Sequence, residues 1–303
     1  MNIAIIDIGS NTIRMNIYHL EGKDYSILFT KKYTASLASY VEDGQLNKDG
    51  IETLKTTLKS IQKVTTFVKL DAVHFFATAS LRNVSNQDAV IKEVKDELDI
   101  TIDLLKQSEE ARLGHIGIEE VYGHSDGLSI DIGGGSTEIA IFKDEAIVKD
   151  FNLSDGSLSF YKKYVDDILP SQDECNQMSE KVKKALKKTS DKLPNFDTII
   201  GIGGSVRAIG KVIQKNENNA SPLEFSLDQL KTLSKKLLKK DKKTMVNVFK
   251  VAPDRVHTLT PGVIILMEVC KDFGIKTIRI SNKGIREGYL INSLKEMKDS
   301  SKV

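Results

Sequence analysis

The sequence predicts an α/β protein of two lobes, each a mixed sheet with helices, around a central cleft. Three observations carry that expectation. Runs with a two-residue apolar period alternate along the chain with runs of helical period. A glycine turn that follows a strand, Ile6-Asp7-Ile8-Gly9-Ser10, returns as Ile130-Asp131-Ile132-Gly133-Gly134. Each copy then continues into an alternating strand, so two similar half-molecules are expected to face each other. The boundaries that follow are 1–122 for the N-terminal lobe and 123–303 for the C-terminal lobe, with the last helix, about 284–298, packing back on the first.

In order, the apolar run to Ile6 and the alternation at Ile13, Met15 and Ile17 read as two strands, with a third near Tyr25–Phe29. Ile51, Leu54, Leu58, Ile61 and Val64 have helical spacing. Ala72–Ala77 reads as a strand, and Ser85 as the cap of a helix carrying Val90, Ile91, Val94 and Leu98. A strand at Thr101–Leu105 leads to a helix from about Ser108. The second half opens with strands at Gly127–Asp131, Thr137–Phe142 and Ala146–Phe151. A helix at Gln172–Lys188 and a strand at Thr198–Ile202 follow, then helices at Ser205–Gln214, Leu227–Lys239, Gly262–Phe273 and Lys283–Met297. Ser226 and Gln229 make a capping box, and Lys215–Ser221 is a surface loop.

Composition narrows the class. The 303 residues are 40% hydrophobic and 28% charged, with 44 basic against 42 acidic residues. That balance argues against a general DNA or RNA binder. The two cysteines, Cys175 and Cys270, lack any paired-ligand spacing, which suits a reducing cytoplasm. The N-terminal apolar run is too short for a signal-peptide core, and no stretch approaches the ~18 residues of a membrane span.

The two turns have the chemistry of phosphate loops. Glycine lets backbone N–H groups approach an oxyanion, and Ser10, Asn11, Thr12, Ser136 and Thr137 add hydroxyl or amide donors beside Gly133, Gly134 and Gly135. Asp7 and Asp131 end their strands, where a carboxylate can hold Mg²⁺ or another divalent cation. Seven residues after each Asp stand Arg14 and Glu138, the first suited to phosphate, the second to metal or water. Both could equally be solvent-facing strand residues. Gly201-Ile202-Gly203-Gly204-Ser205 is a third glycine cluster that opens a helix, though structural turns use such clusters often.

Together these pieces resemble the superfamily of sugar kinases, chaperone ATPases and actin, with ribonuclease H-like lobes. Asp7–Thr12, Asp131–Glu138 and Gly201–Ser205 stand where that superfamily has its first, second and nucleoside-side motifs. Ser10-Asn11-Thr12-Ile13-Arg14, Ala77–Asn86, Glu109-Glu110-Ala111-Arg112-Leu113 and Ser281–Gly288 are similar to the exopolyphosphatase and guanosine pentaphosphate phosphohydrolase (Ppx/GppA) family, in its short two-domain form.

The resemblance implies hydrolysis of a terminal phosphoanhydride, of polyphosphate or of guanosine pentaphosphate, with Mg²⁺ or a similar ion. It places the general base on Glu110, with Glu109 as the alternative; a helix N-terminus also attracts both acidic residues for dipole reasons alone. Arg82 can fork phosphate oxygens or pair with an acidic neighbour. Asp131, supported by Glu138 and then Asp7, is the metal candidate; Gly203, Gly204 and Ser205 bind phosphate. Arg286 either ties the last helix to the cleft or pairs structurally. Lysine clusters at 181–188 and 235–243 form either a polyanion track or ordinary solubilising faces. His74 reads as structural. A homodimer is expected from the resemblance. The chain departs from the family at Ser36, Ala38, Gln107 and Asn282, which leaves substrate preference and rate open, and a phosphate-binding regulator without efficient turnover stays a third reading.

Overall fold

The strands form where β-branched residues recur without glycine or proline, and the turns where small residues interrupt them. A computed structural model describes residues 1–300 apart from 23, 124–125, 144–145, 188–195, 219–220 and 222, with side chains described to residue 297. Lys188 and part of the expected 215–221 loop lie outside the described residues. The chain divides into two compact units. Unit 1 holds Met1–Glu110 with the chain from Tyr289, and unit 2 holds Ala111–Gly288. The division falls inside a helix, twelve residues before the boundary expected from the sequence.

In unit 1, β1 (Asn2–Ile8) pairs antiparallel with β2 (Thr12–Glu21), which pairs with β3 (Asp24–Thr34). A short ribbon, β4 (Val41–Glu42) and β5 (Gln45–Leu46), precedes α1 (Lys48–Thr65), whose first turn is capped by Asn47 through the Gly50 N–H at 2.9 Å. β6 (Ala72–Ala77) lies parallel to β1 and leads through α2 (Ala79–Arg82) and α3 (Gln87–Leu98) to β7 (Ile102–Leu104) and α4 (Gln107–Tyr122). The sheet order is β3-β2-β1-β6-β7. Ile6, Ile8, Ile13, Met15 and Ile17 pack against Leu54, Leu58 and Ile61 of α1 and Val90 and Val94 of α3. Lys55 is buried between those helices because Glu52, Glu93 and Glu97 all reach its ammonium within 2.9 Å.

Unit 2 repeats the plan with β8 (Gly127–Ile132), β9 (Thr137–Lys143) and β10 (Ala146–Leu153), then α5 (Ser157–Tyr164), α6 (Gln172–Lys187), β11 (Thr198–Ile202) and α7 (Gly203–Glu217). The remainder is β12 (Glu224–Ser226), α8 (Leu227–Leu238), α9 (Lys242–Val251), α10 (Val256–Asp272), β13 (Thr277–Ile280) and α11 (Ile285–Ser300). The sheet order β10-β9-β8-β11-β13-β12 reproduces that of unit 1 with one strand added. α10 is apolar on nearly every side and runs through the core.

Four local readings change. Ser85 does not cap α3, because its N–H and hydroxyl both go to the Gly44 carbonyl; Asn86 takes the cap position while its side chain bridges Leu46. α10 starts at Val256 and continues through Pro261, where a start at Gly262 was expected; burial in the core outweighs the hydrogen bond that proline forgoes. α7 begins at Gly203, so the third glycine cluster is its first turn. α5 and α9 are helices that the sequence expectations left out, α9 despite the helical spacing of Met245, Val248 and Phe249. The capping box of Ser226 and Gln229 forms, with bonds of 3.2 and 2.7 Å.

Two outcomes follow. Leu266→Ala, which empties a fully buried site on α10, lowers unfolding free energy by about 2–5 kcal/mol in denaturant titration. Burial pushes the Cys175 thiol up to about 11 and the Cys270 thiol upward as well. Both therefore resist a thiol reagent in the native protein and react on unfolding.

Candidate functional site

Each hairpin turn closes in the same way. In unit 1 the Gly9 N–H donates to the Thr12 carbonyl at 3.1 Å; in unit 2 the Gly133 N–H donates to the Ser136 carbonyl at 3.0 Å. The Asp at each strand end faces the residue predicted to work with it, Asp7 opposite Arg14 and Asp131 opposite Glu138.

The carbonyls of the unit 1 loop turn into the protein. Ile8 O accepts from the Ser80 hydroxyl, Ser10 O from Ala38 N, and Asn11 O from Ala35 N and Ser36 N. Ser36 also donates its hydroxyl to Asn11 Oδ1 at 3.2 Å. The departures at Ser36 and Ala38 thus stand in the segment that holds this loop. Ser10 and Asn11 are buried.

At the start of α4 the two acidic neighbours separate. Glu109 Oε2 accepts from the Lys106 N–H at 2.7 Å, a helix-capping role. Glu110 Oε2 instead meets Arg82 Nη1 at 2.7 Å, and the same nitrogen reaches the Leu105 carbonyl at 3.0 Å. Both side chains are mostly buried, 17% and 12% exposed, so this pair fixes the Glu110 carboxylate more firmly than a surface ion pair would.

In unit 2 the loop is clasped by a helix end. Gly133 O accepts from Ser157 N (2.9 Å) and Ser157 Oγ (3.0 Å), and Gly134 O accepts from the N–H groups of Leu158 and Ser159 at 2.9 Å. A Cβ on Gly156 would strike the Gly134 carbonyl carbon at 2.7 Å, so the chain can approach this closely only as glycine. Ser157 Oγ also lies 3.2 Å from Ser205 Oγ, joining the second and third glycine clusters. The Ser136 hydroxyl goes to Glu138 Oε1 at 2.5 Å and the Thr137 hydroxyl to the Asp155 carbonyl at 3.0 Å. Both hydroxyls, expected as donors to phosphate, are thus taken up within unit 2, one by Glu138 and one by the Asp155 carbonyl.

Gly203 has φ +81° and lies against the Asp131 carboxylate, whose Oδ1 would collide with any Cβ there. Arg255, which the sequence reading passed over, joins this group. Its Nη1 is 3.4 Å from Ser205 Oγ, and its guanidinium packs on Gly204. Burial works against its charge, and Asp254 and Asp131 offset that cost. Arg255 sits in a polar run far along the chain from any glycine motif, so spacing gave no signal for it. Ser157 was equally silent.

Among the described residues no group of three His, Cys, Asp or Glu side chains has metal-site geometry. The carboxylates present nevertheless fit Mg²⁺, which takes one or two protein carboxylates and fills its shell with water and phosphate. Asp131, cradled by Gly203 with Glu138 beside it in register, is such a partial set in unit 2. Asp7 belongs to unit 1. His74 is half-buried against Tyr289, with ring centroids 5.8 Å apart, and desolvation lowers its pKa. Among the lysine clusters, Lys183 pairs with Glu180 at 3.0 Å.

The sequence profile of the Ppx/GppA phosphatase family matches residues 17–297. The chain belongs to that family. It is 28% identical over 315 residues to a bifunctional 3-dehydroquinate synthase/phosphatase of Fusobacterium nucleatum, covering 96% of this chain and 46% of that protein. A guanosine-5'-triphosphate,3'-diphosphate pyrophosphatase of Photobacterium profundum is 22% identical, over 97% of this chain and 60% of its own length. A putative exopolyphosphatase of Haemophilus influenzae is 25% identical, with 95% and 90% covered. The chain thus spans about half to three fifths of the first two relatives. The crystal structure of an exopolyphosphatase from Cytophaga hutchinsonii superposes with TM-score 0.86 at 20% identity, and that of the Aquifex aeolicus family member with 0.79 at 24%, each with 98% of both chains covered. These likenesses establish the fold, two actin-like lobes of mixed α/β structure. No helix among the described residues is long and apolar enough to cross a membrane.

Gly203→Ala forces a side chain into the left-handed region and onto Asp131. It should cost about 1–2 kcal/mol for the backbone alone, and more once the collision is added, measured by denaturant unfolding against wild type.

Proposed function

We propose that the chain is an exopolyphosphatase, hydrolysing the terminal phosphoanhydride of inorganic polyphosphate with release of orthophosphate. The observation that carries this reading is the division of labour at the start of α4. Glu109 is taken up by the helix terminus, while Glu110 is held by Arg82 as a positioned carboxylate. Family membership and relatives named exopolyphosphatase and guanosine-5'-triphosphate,3'-diphosphate pyrophosphatase support phosphoanhydride chemistry.

The roles are as follows. Glu110 accepts the proton of the attacking water as its oxygen bonds to the terminal phosphorus and the bridging P–O bond breaks. Arg82 orients Glu110. Backbone N–H groups of Ser10, Asn11 and Thr12 and of Gly133, Gly134 and Gly135 hold phosphate oxygens, with Arg14, Gly203, Gly204, Ser205 and the newly found Arg255 as further phosphate contacts. Asp131, Glu138 and Asp7 are assigned to Mg²⁺, which when bound neutralises phosphate charge. Ser136 and Thr137 contribute through backbone geometry, their hydroxyls being taken up within unit 2.

Guanosine pentaphosphate hydrolysis is the second reading, favoured by the Photobacterium relative. Purified protein with Mg²⁺, assayed for phosphate release from polyphosphate and from guanosine pentaphosphate side by side, should release more from polyphosphate. A reversed preference selects the second reading. Binding of either without release selects a phosphate-binding regulator. Glu110→Gln should reduce turnover by about 100-fold or more with the fold intact by circular dichroism, and unchanged turnover removes Glu110 from its role. Asp131→Asn should raise the Mg²⁺ concentration needed for half-maximal rate.

A further inference from the structure

The strand-end Asp of each unit belongs to a longer row that crosses its sheet. In unit 1 the row runs Asp7, Arg14, Lys32 over β1, β2 and β3; in unit 2 it runs Asp131, Glu138, Asn152 over β8, β9 and β10. Directly opposed residues on paired strands share a face. In unit 2 that face is opposite the core, because the neighbours Ile130, Ile132, Ile139, Phe151 and Leu153 all belong to the core cluster. Asn152 is bonded to the middle member of the row. Its Nδ2 donates to Glu138 Oε1 at 3.0 Å, the same oxygen that accepts from Ser136 Oγ at 2.5 Å. Glu138 is buried, so these two donors hold its carboxylate in one orientation.

We infer that Asn152 is a positioning residue for Glu138, and that its neutral amide keeps the Asp131–Glu138 pair able to hold a divalent cation; this rests on the metal role proposed above for those carboxylates. Two carboxylates directly opposed on neighbouring strands repel each other. A divalent cation shared by the pair offsets that repulsion, and it needs both charges intact. The donor that holds Glu138 must therefore orient it without cancelling its charge. A primary amide does so, since it donates N–H bonds and carries no net charge. A lysine or arginine in its place would form an ion pair and compete with the cation for the same oxygens. The same distinction is drawn elsewhere in the chain. Glu110, which is given no metal role, is held by the cationic Arg82. In unit 1 the place equivalent to Asn152 is taken by Lys32, beside Arg14 in a row with a single carboxylate. The row with two carboxylates ends in an amide. Hydrogen-bond partners of this kind, one step removed from the metal, set both the direction and the affinity of a ligand.

The test reads metal binding without substrate. Mn²⁺ is titrated into the purified protein and the free ion is followed by electron paramagnetic resonance, with Asp131→Asn identifying the site by its loss. Asn152→Ala should raise the Mn²⁺ dissociation constant about tenfold and Asn152→Lys about 100-fold. Asn152→Ser, too short to reach Glu138, is a second donor-loss variant and should match Asn152→Ala. Val148→Lys adds the same charge at an exposed position of β10, and should change the constant by less than about twofold at about 0.15 M salt. Circular dichroism melts report the folding of each variant. A lower melting temperature for Asn152→Ala and Asn152→Ser with wild-type Mn²⁺ affinity overturns the inference, since the amide would then serve the strand pair alone. Equal losses for Asn152→Lys and Val148→Lys overturn it too. Wild-type protein that binds no Mn²⁺, or binds it equally well as Asp131→Asn, overturns the metal assignment and the inference together. The expected losses at Asn152, in a protein that releases no phosphate from polyphosphate, uphold the inference and remove the exopolyphosphatase reading.

Discussion

Both hairpin loops hand carbonyls to the chain behind them, and the phosphate role proposed for their N–H groups needs those carbonyls to be disposed of in this way. A carbonyl left beside a phosphate would repel it, and one buried without a donor would cost free energy. Unit 1 meets the requirement with the extended segment at Ala35–Ala38 and the Ser80 hydroxyl. Unit 2 meets it with the first turn of α5. The turns are alike while their supports differ, so within the repeated plan each lobe anchors its hairpin with its own chain.

The charged groups follow a related logic. Arg82 with Glu110, and Arg255 near Asp131, each set a guanidinium by a carboxylate in a partly buried setting. Such groups are costly to bury singly and more easily retained together. For Glu110 the hydrogen bond from Arg82 also sets the direction of the carboxylate.

Much of this was legible in the sequence because it is local. Strand period, the Asp-x-Gly turns, the Ser226 capping box and the duplicated order of elements all depend on residues near one another in the chain. What escaped depends on distant partners. Ser85 looks like a cap until Gly44 takes its hydroxyl. Pro261 looks like a helix start until the core surrounds α10. Arg255 and Ser157 have no motif around them, and only folding brings them to Ser205. The Thr137 hydroxyl is likewise taken up by the Asp155 carbonyl, eighteen residues on.

The clasp on the second loop also bears on the anion-holding role proposed for that loop. The carbonyls of Gly133 and Gly134 belong to the same peptide groups as the N–H of Gly134 and of Gly135, and each carbonyl takes two hydrogen bonds from α5. Drawing electron density toward a carbonyl leaves the amide hydrogen of that peptide more positive, since linked hydrogen bonds polarise one another. α5 therefore polarises the loop's amides from behind, without placing a side chain in front of them.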